Sequence, residues 1–175
     1  MCSLLSFKQF LFESTYKELE SNVLSFKPKT KKRQHAVGPL TMSKMDVNAA
    51  LGVKTLRFMA DVNGSTGNIY KVTVQFNRVN FDGKQHKFKA KDGKEYTIDK
   101  LDLNSKDVML RCQCLDFYFR FGYYNWKDKS IYGNRPKKYV RKTDWWPPVN
   151  PEKVPGFCKH VIRTIKEIQA QGFVK

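Results

Sequence analysis

Cys112-Gln113-Cys114 and, far along the chain, Cys158-Lys159-His160 gather three of the four cysteines and one of the three histidines into two tight pairs. Four soft or borderline donors are the number one tetrahedral zinc ion takes, and Cys₃His is a standard structural ligand set. Read this way, the two pairs tie the end of a strand to the start of a helix and fix the fold between them. Inert buried thiols are a second reading, and disulfides or redox work a third. Four cysteines allow three pairings. Cys112 and Cys114 sit too close on an extended segment for comfortable disulfide geometry. A chain of 175 residues can bury a core without such staples. Cys2 lies outside the pattern and reads as a thiol without a role.

Working outward, the period is two on the N-terminal side of the first pair. Leu56, Phe58, Ala60 and Val62 alternate with Thr55, Arg57, Met59 and Asp61, and Asn63-Gly64-Ser65-Thr66-Gly67 supplies a turn. Tyr70, Val72, Val74 and Phe76 then share one face, which is a hairpin signature. Short strands are expected over 86–90, 95–98 and 108–114, with Asp82-Gly83 and Asp92-Gly93 as turns. The expectation is a small antiparallel sheet of about five strands. The second pair opens a helix: Val161, Ile162, Ile165 and Ile168 lie at helical spacing and Gly172 stops it. Residues two apart on a regular helix point to opposite sides, so Cys158 and His160 can share an ion only if they straddle the start of the helix. The fold class is therefore α+β, a sheet joined to a C-terminal helix by a zinc site.

The flanks are less regular. Leu4, Leu5, Phe7, Phe10, Leu11, Tyr16 and Leu19 form an apolar stripe, so residues 1–20 predict an amphipathic helix with Ser3 as its N-cap. That helix docks either on its own domain or on a neighbouring subunit. Residues 21–44 predict a basic linker or arm, with Lys27, Lys29, Lys31, Lys32 and Arg33 crowded around Pro28. The zinc-binding α+β domain is placed at 45–175. Within it, 115–157 interleaves many aromatic rings with cations, and its prolines argue against one continuous regular element. About two thirds of these rings are expected to be core packing, because bulky rings are mostly buried in a small fold. Arg135, Lys137, Lys138, Arg141 and Lys142 form a second basic run.

The net charge of +17 favours contact with a polyanion, and the two basic runs are its candidate sites. No stretch approaches the ~20 apolar residues of a membrane span. The apolar opening, interrupted by Lys8 and Gln9, does not read as a secretion signal. No membrane partner is expected, and the location expected is the cytoplasm or a larger assembly formed there. An enzyme is not expected: a closed site leaves the ion no position for substrate. His35 and His86 have no sequence context suggesting a base, and Asp99, Asp102 and Asp107 read as capping or solvated carboxylates.

Cys-x-Cys followed by Cys-x-His at the start of a helix, with strands before it, resembles the SWIM-type zinc-binding domain over residues 107–171, with 115–157 as a long insertion. The text Cys114-Leu115-Asp116-Phe117-Tyr118-Phe119-Arg120-Phe121 and Pro155-Gly156-Phe157-Cys158-Lys159-His160 is similar to a version of that domain found in proteins of tailed bacteriophages. The opening Leu4-Leu5-Ser6-Phe7-Lys8-Gln9-Phe10-Leu11 is similar to the starts of proteins from large contractile-tailed phages. The resemblance implies a zinc-stabilised structural or assembly component of a phage particle that contacts other subunits. The alternative it implies is a nucleic-acid-binding SWIM-type zinc finger acting on phage DNA.

Overall fold

The computed structural model describes residues 14–27, 32, 34–105, 107–140, 142, 148 and 150–175. Six strands and three helices are used below. The strands are β1 (Thr41–Ala50), β2 (Thr55–Asn63), β3 (Ile69–Phe76), β4 (His86–Lys89), β5 (Glu95–Ile98) and β6 (Val108–Cys112). The helices are α1 (Tyr16–Leu24), α2 (a π-helical stretch Phe117–Gly122 running on into Tyr123–Lys127) and α3 (Lys159–Ala170).

The main sheet is antiparallel with order β1-β2-β3-β6. The alternation of β2 becomes its burial pattern: Leu56, Phe58, Ala60 and Val62 are buried and their neighbours are not. Val72, Val74 and Phe76 of β3 join them on the same face. Asn63 pairs with Ile69, and the turn between them uses Gly67 at φ 81°, where any side chain would be strained. β4 and β5 form a separate two-stranded ribbon. The ribbon is tied to β1 by the Lys91 N–H, which donates to the Val47 carbonyl at 2.8 Å. The small antiparallel sheet expected from the sequence is present with four strands, and β4 and β5 stand apart from it as the ribbon.

α3 lies across the buried face of the sheet with Val161, Ile162, Ile165 and Ile168 inward. Burying each such side chain contributes about 1.5–3 kcal/mol. Gly172 ends the helix at φ 82°. The Phe173 N–H donates to the Ile168 carbonyl and the Gly172 N–H to the Gln169 carbonyl, a Schellman cap. That cap turns Phe173 back against Phe58 (4.9 Å, edge-on) and Phe88 (5.1 Å).

Two sequence expectations are corrected. The helix placed at 1–20 runs instead over Tyr16–Leu24 where it is described, and Ser3 and the stripe from Leu4 to Leu11 lie outside the described residues. Thr15 is its N-cap, in a reciprocal capping box with Glu18. The segment 21–44 is not a plain connector: it holds the end of α1, the buried residues Val23, Phe26, Gln34, Val37 and Leu40, and the first residues of β1. The dense positive charge between these sparse apolar anchors hid them. The prolines of 115–157 all fall beyond residue 127, so they leave α2 intact.

α1 belongs to the core. Tyr16, Leu19 and Val23 are buried, and Tyr16 stacks on Phe157 at 4.8 Å between centroids. A polar network ties the same region together. Arg120, 3% exposed, donates to Gln34 Oε1 at 2.9 Å and pairs with Asp116 at 3.4 Å, and Gln34 Nε2 donates to the Phe157 carbonyl. Asn150 Nδ2 donates to the Arg120 and Val154 carbonyls at 3.0 and 2.8 Å. A buried guanidinium is tolerated only when so partnered.

Leu19→Ala is expected to cost about 2–5 kcal/mol through the cavity it leaves. Thr15→Ala should cost about 0.5–2 kcal/mol through loss of the cap. Denaturant melts of the two variants check both. Deleting residues 1–26 removes Tyr16, Leu19, Val23 and Phe26 from the core, and the product should fail to fold.

Candidate metal centre

β6 presents Val108, Leu110 and Cys112 inward, and the same two-residue period carries Cys114 to that side just beyond the strand. Gln113 between them is exposed, and its N–H continues the ladder to the Lys71 carbonyl at 3.1 Å. The chain then turns into α2. The Phe117 N–H donates to Cys114 Sγ at 3.3 Å, as a third-residue amide donates to an N-cap side chain, and the Cys114 N–H meets Cys112 Sγ at 3.5 Å.

The second pair does straddle a helix start. Cys158 is the N-cap of α3 in extended backbone (φ −91°, ψ 168°), while His160 lies inside the first turn. That break between the two residues turns both side chains to one point. Thr164 Oγ1 donates to the His160 carbonyl at 3.0 Å, and Tyr70 of β3 packs on the imidazole at 4.6 Å.

The outcome is a buried group of four: the ligand atoms of Cys112, Cys114, Cys158 and His160 all lie within 4.8 Å of one another. His160 Nδ1 is 3.8 Å from both Cys112 Sγ and Cys158 Sγ. An ion bonded to sulfur at about 2.3 Å in a tetrahedron sets neighbouring ligands about 3.7 Å apart. The shell therefore needs little movement to close on an ion, and these residues can hold one. His160 Nε2 is buried without a hydrogen-bond partner. It carries the ring proton when Nδ1 is the ligand.

The electrostatics point the same way. Burial pushes the Cys112 and Cys158 thiols well above their ordinary range. Hydrogen bonds from Cys112 and then Cys158 hold Cys114 far below it, with the Phe117 amide adding to the effect. A bound cation offsets the mutual repulsion of three thiolates, which is why metal binding releases protons from such groups. Cys114 and Cys158 also stand at the starts of α2 and α3, where the helix dipole favours anions.

The basic candidates divide. Lys27 and Lys32 are exposed on the connection between α1 and β1, whereas Lys29, Lys31, Arg33 and Arg141 lie outside the described residues. Arg135 and Lys138 are brought onto α2, Arg135 4.0 Å above the Trp126 ring and Lys138 5.6 Å from that of Tyr123. Lys137 and Lys142 are exposed. Burial, with Lys100 adding to it, lowers the pKa of His86, which packs on Phe173 at 4.3 Å. Asp99 accepts from Asn80, Asp102 from the Asn104 N–H, and Asp107 pairs with Arg78. Tyr70, Gln34 and Arg120 escaped the sequence reading. Tyr70 had only its place on the inward face of β3 as a signal, and the other two had none.

Cys114→Ser is expected to cost several kcal/mol, the scale on which a structural metal contributes to folding. A thermal melt in metal-containing buffer checks this, with Cys2→Ser as the silent control. Comparison of the chain with protein-family models, with curated proteins and with solved structures finds no match.

Proposed function

We propose that the chain is a non-enzymatic structural protein, stabilised by one zinc ion on Cys112, Cys114, Cys158 and His160, that works through its surfaces within a larger assembly. The observation that carries this reading is closure. Four protein donors, all buried, converge within 4.8 Å and leave no position for a substrate. Zinc suits three thiolates and an imidazole, since it imposes no geometric preference of its own against the tetrahedron this set makes. When bound it supplies a positive charge and a cross-link; the protein residues do the rest. The strand end and the helix start fix the ligands, and the flanking core keeps water out.

The resemblance of the two ligand pairs to the SWIM-type domain of tailed-phage proteins supports a place in a phage particle. Contacts with neighbouring subunits fit the same reading. Leu51 and Val53, at the tip of the β1–β2 hairpin, are 50% and 69% exposed, which is surface of the kind subunit contacts bury.

Protein purified under reducing conditions should contain one zinc per chain by elemental analysis. Cobalt loading should produce thiolate-to-metal charge-transfer absorption. A strong chelator should lower the melting temperature by about 10 °C or more. Absence of stoichiometric metal would defeat the zinc assignment. Mass spectrometry of purified particles should detect the protein; its consistent absence there would defeat the assembly role.

A further inference from the structure

The sequence reading expected most rings of 115–157 to be core. Among those described, Phe117 and Phe121 are buried, whereas Tyr118, Phe119 and Tyr139 are 37%, 41% and 48% exposed. Their arrangement is regular. Phe119, Tyr123 and Trp126 follow one another on one side of α2 at spacings of four and three. The strap 135–139 runs back along that side in the opposite direction. Arg135 lies 4.0 Å above Trp126, Lys138 is 5.6 Å from Tyr123, and Tyr139 meets Phe119 at 4.7 Å. Tyr118 extends the row, 5.2 Å from Phe119.

Gly122 permits the close approach of the strap. A Cβ built there would stand 3.3 Å from Pro136 Cγ, so a side chain would push the strap away from the helix. Beside the row lies a cleft of about 470 Å³ lined by Tyr123, Tyr124, Lys127, Lys138 and Lys153. Asp128 also lines it, and that carboxylate accepts from Ser14 Oγ at 2.9 Å.

We propose that this row of exposed rings and cations is a binding platform for single-stranded nucleic acid. Bases would stack on Tyr118, Phe119 and Tyr139 and on the Arg135 guanidinium, while Lys127, Lys137 and Lys138 take the phosphates. Three observations select this occupant. The exposed rings offer stacking surface, and in a nucleic acid only unpaired bases can present their π-faces to it. Arg135 and Lys138 lie over Trp126 and Tyr123 within the row, and Lys127 and Lys137 are close by, on a chain of net charge +17, which matches a polyanion. The Arg135 guanidinium, 4.0 Å above the Trp126 ring, is a planar group on which a base can stack. A duplex would use the charges and leave the rings idle. The inference goes beyond the structural role above and does not depend on which metal is bound.

The test uses full-length, metal-loaded protein and fluorescence anisotropy with labelled oligothymidine and oligouridine of about 20 nucleotides, against a duplex of the same length. Single strands should bind more tightly than the duplex, with affinity falling steeply as salt rises. The two oligonucleotides distinguish DNA from RNA as the source. Phe119→Ala and Tyr139→Ala should each weaken single-strand binding by about 5- to 100-fold, the range that loss of one stacked base gives. Lys138→Gln should weaken it and flatten the salt dependence, whereas Lys94→Gln, on the β4–β5 turn, should leave it unchanged. Metal content and melting temperature confirm that each variant is folded. Equal affinity for duplex and single strand would overturn the proposal. So would ring variants that bind as well as the parent, or an absence of binding at low salt.

Discussion

The fold turns on the convergence of three sulfurs and one imidazole nitrogen at a single buried point. Mutual repulsion makes three adjacent thiolates unfavourable without a cation, and burial pushes the Cys112 and Cys158 thiols up. A cation reverses the sign of that interaction. An ion held there would link the last strand of the main sheet to the start of α3. The sheet, α3 and the aromatic excursion all meet there. Cys112 ends β6, Cys114 opens α2, and Cys158 and His160 begin α3.

A second layer holds the excursion in place without metal. α1 packs Tyr16 on Phe157, the residue immediately before Cys158. Gln34 reaches the Phe157 carbonyl and also accepts from Arg120, one turn into α2. The Gly156 N–H donates to Asn125 Oδ1 at 2.9 Å. The ligand-bearing backbone on the α3 side is thus gripped from α1, from the connection after it and from α2. This order explains why a helix near the start of the chain belongs to the same unit as a site near its end.

The ligand set, the hairpin β2–β3 and α3 were legible because their signals are periodic or chemically unusual. Two Cys-containing pairs stand out in any composition, and strict alternation reports a half-buried strand. The straddling of the helix start followed from geometry alone. β1 was hidden, since Thr41–Ala50 is only partly buried and mixes Met, Asp and Asn without clean alternation. α2 was hidden because its rings are rich enough to suit any element and the later prolines drew attention away. Which rings faced outward could not be read at all. Exposure of Phe119 depends on how α2 leaves Cys114, and that is set by contacts distant in sequence.

An ion held by Cys114 and Cys158 would close 115–157 into a loop. The entropy of closing such a loop rises only logarithmically with its length, so each doubling adds about 0.6 kcal/mol. Near Tyr139 and Val140, which are exposed, residues can therefore be added or lost with little thermodynamic consequence, while Phe117, Phe121 and Phe157 stay fixed. The chain thus separates a fixed frame from a stretch whose length is thermodynamically cheap to change, and the rings and cations that meet solvent lie in that stretch.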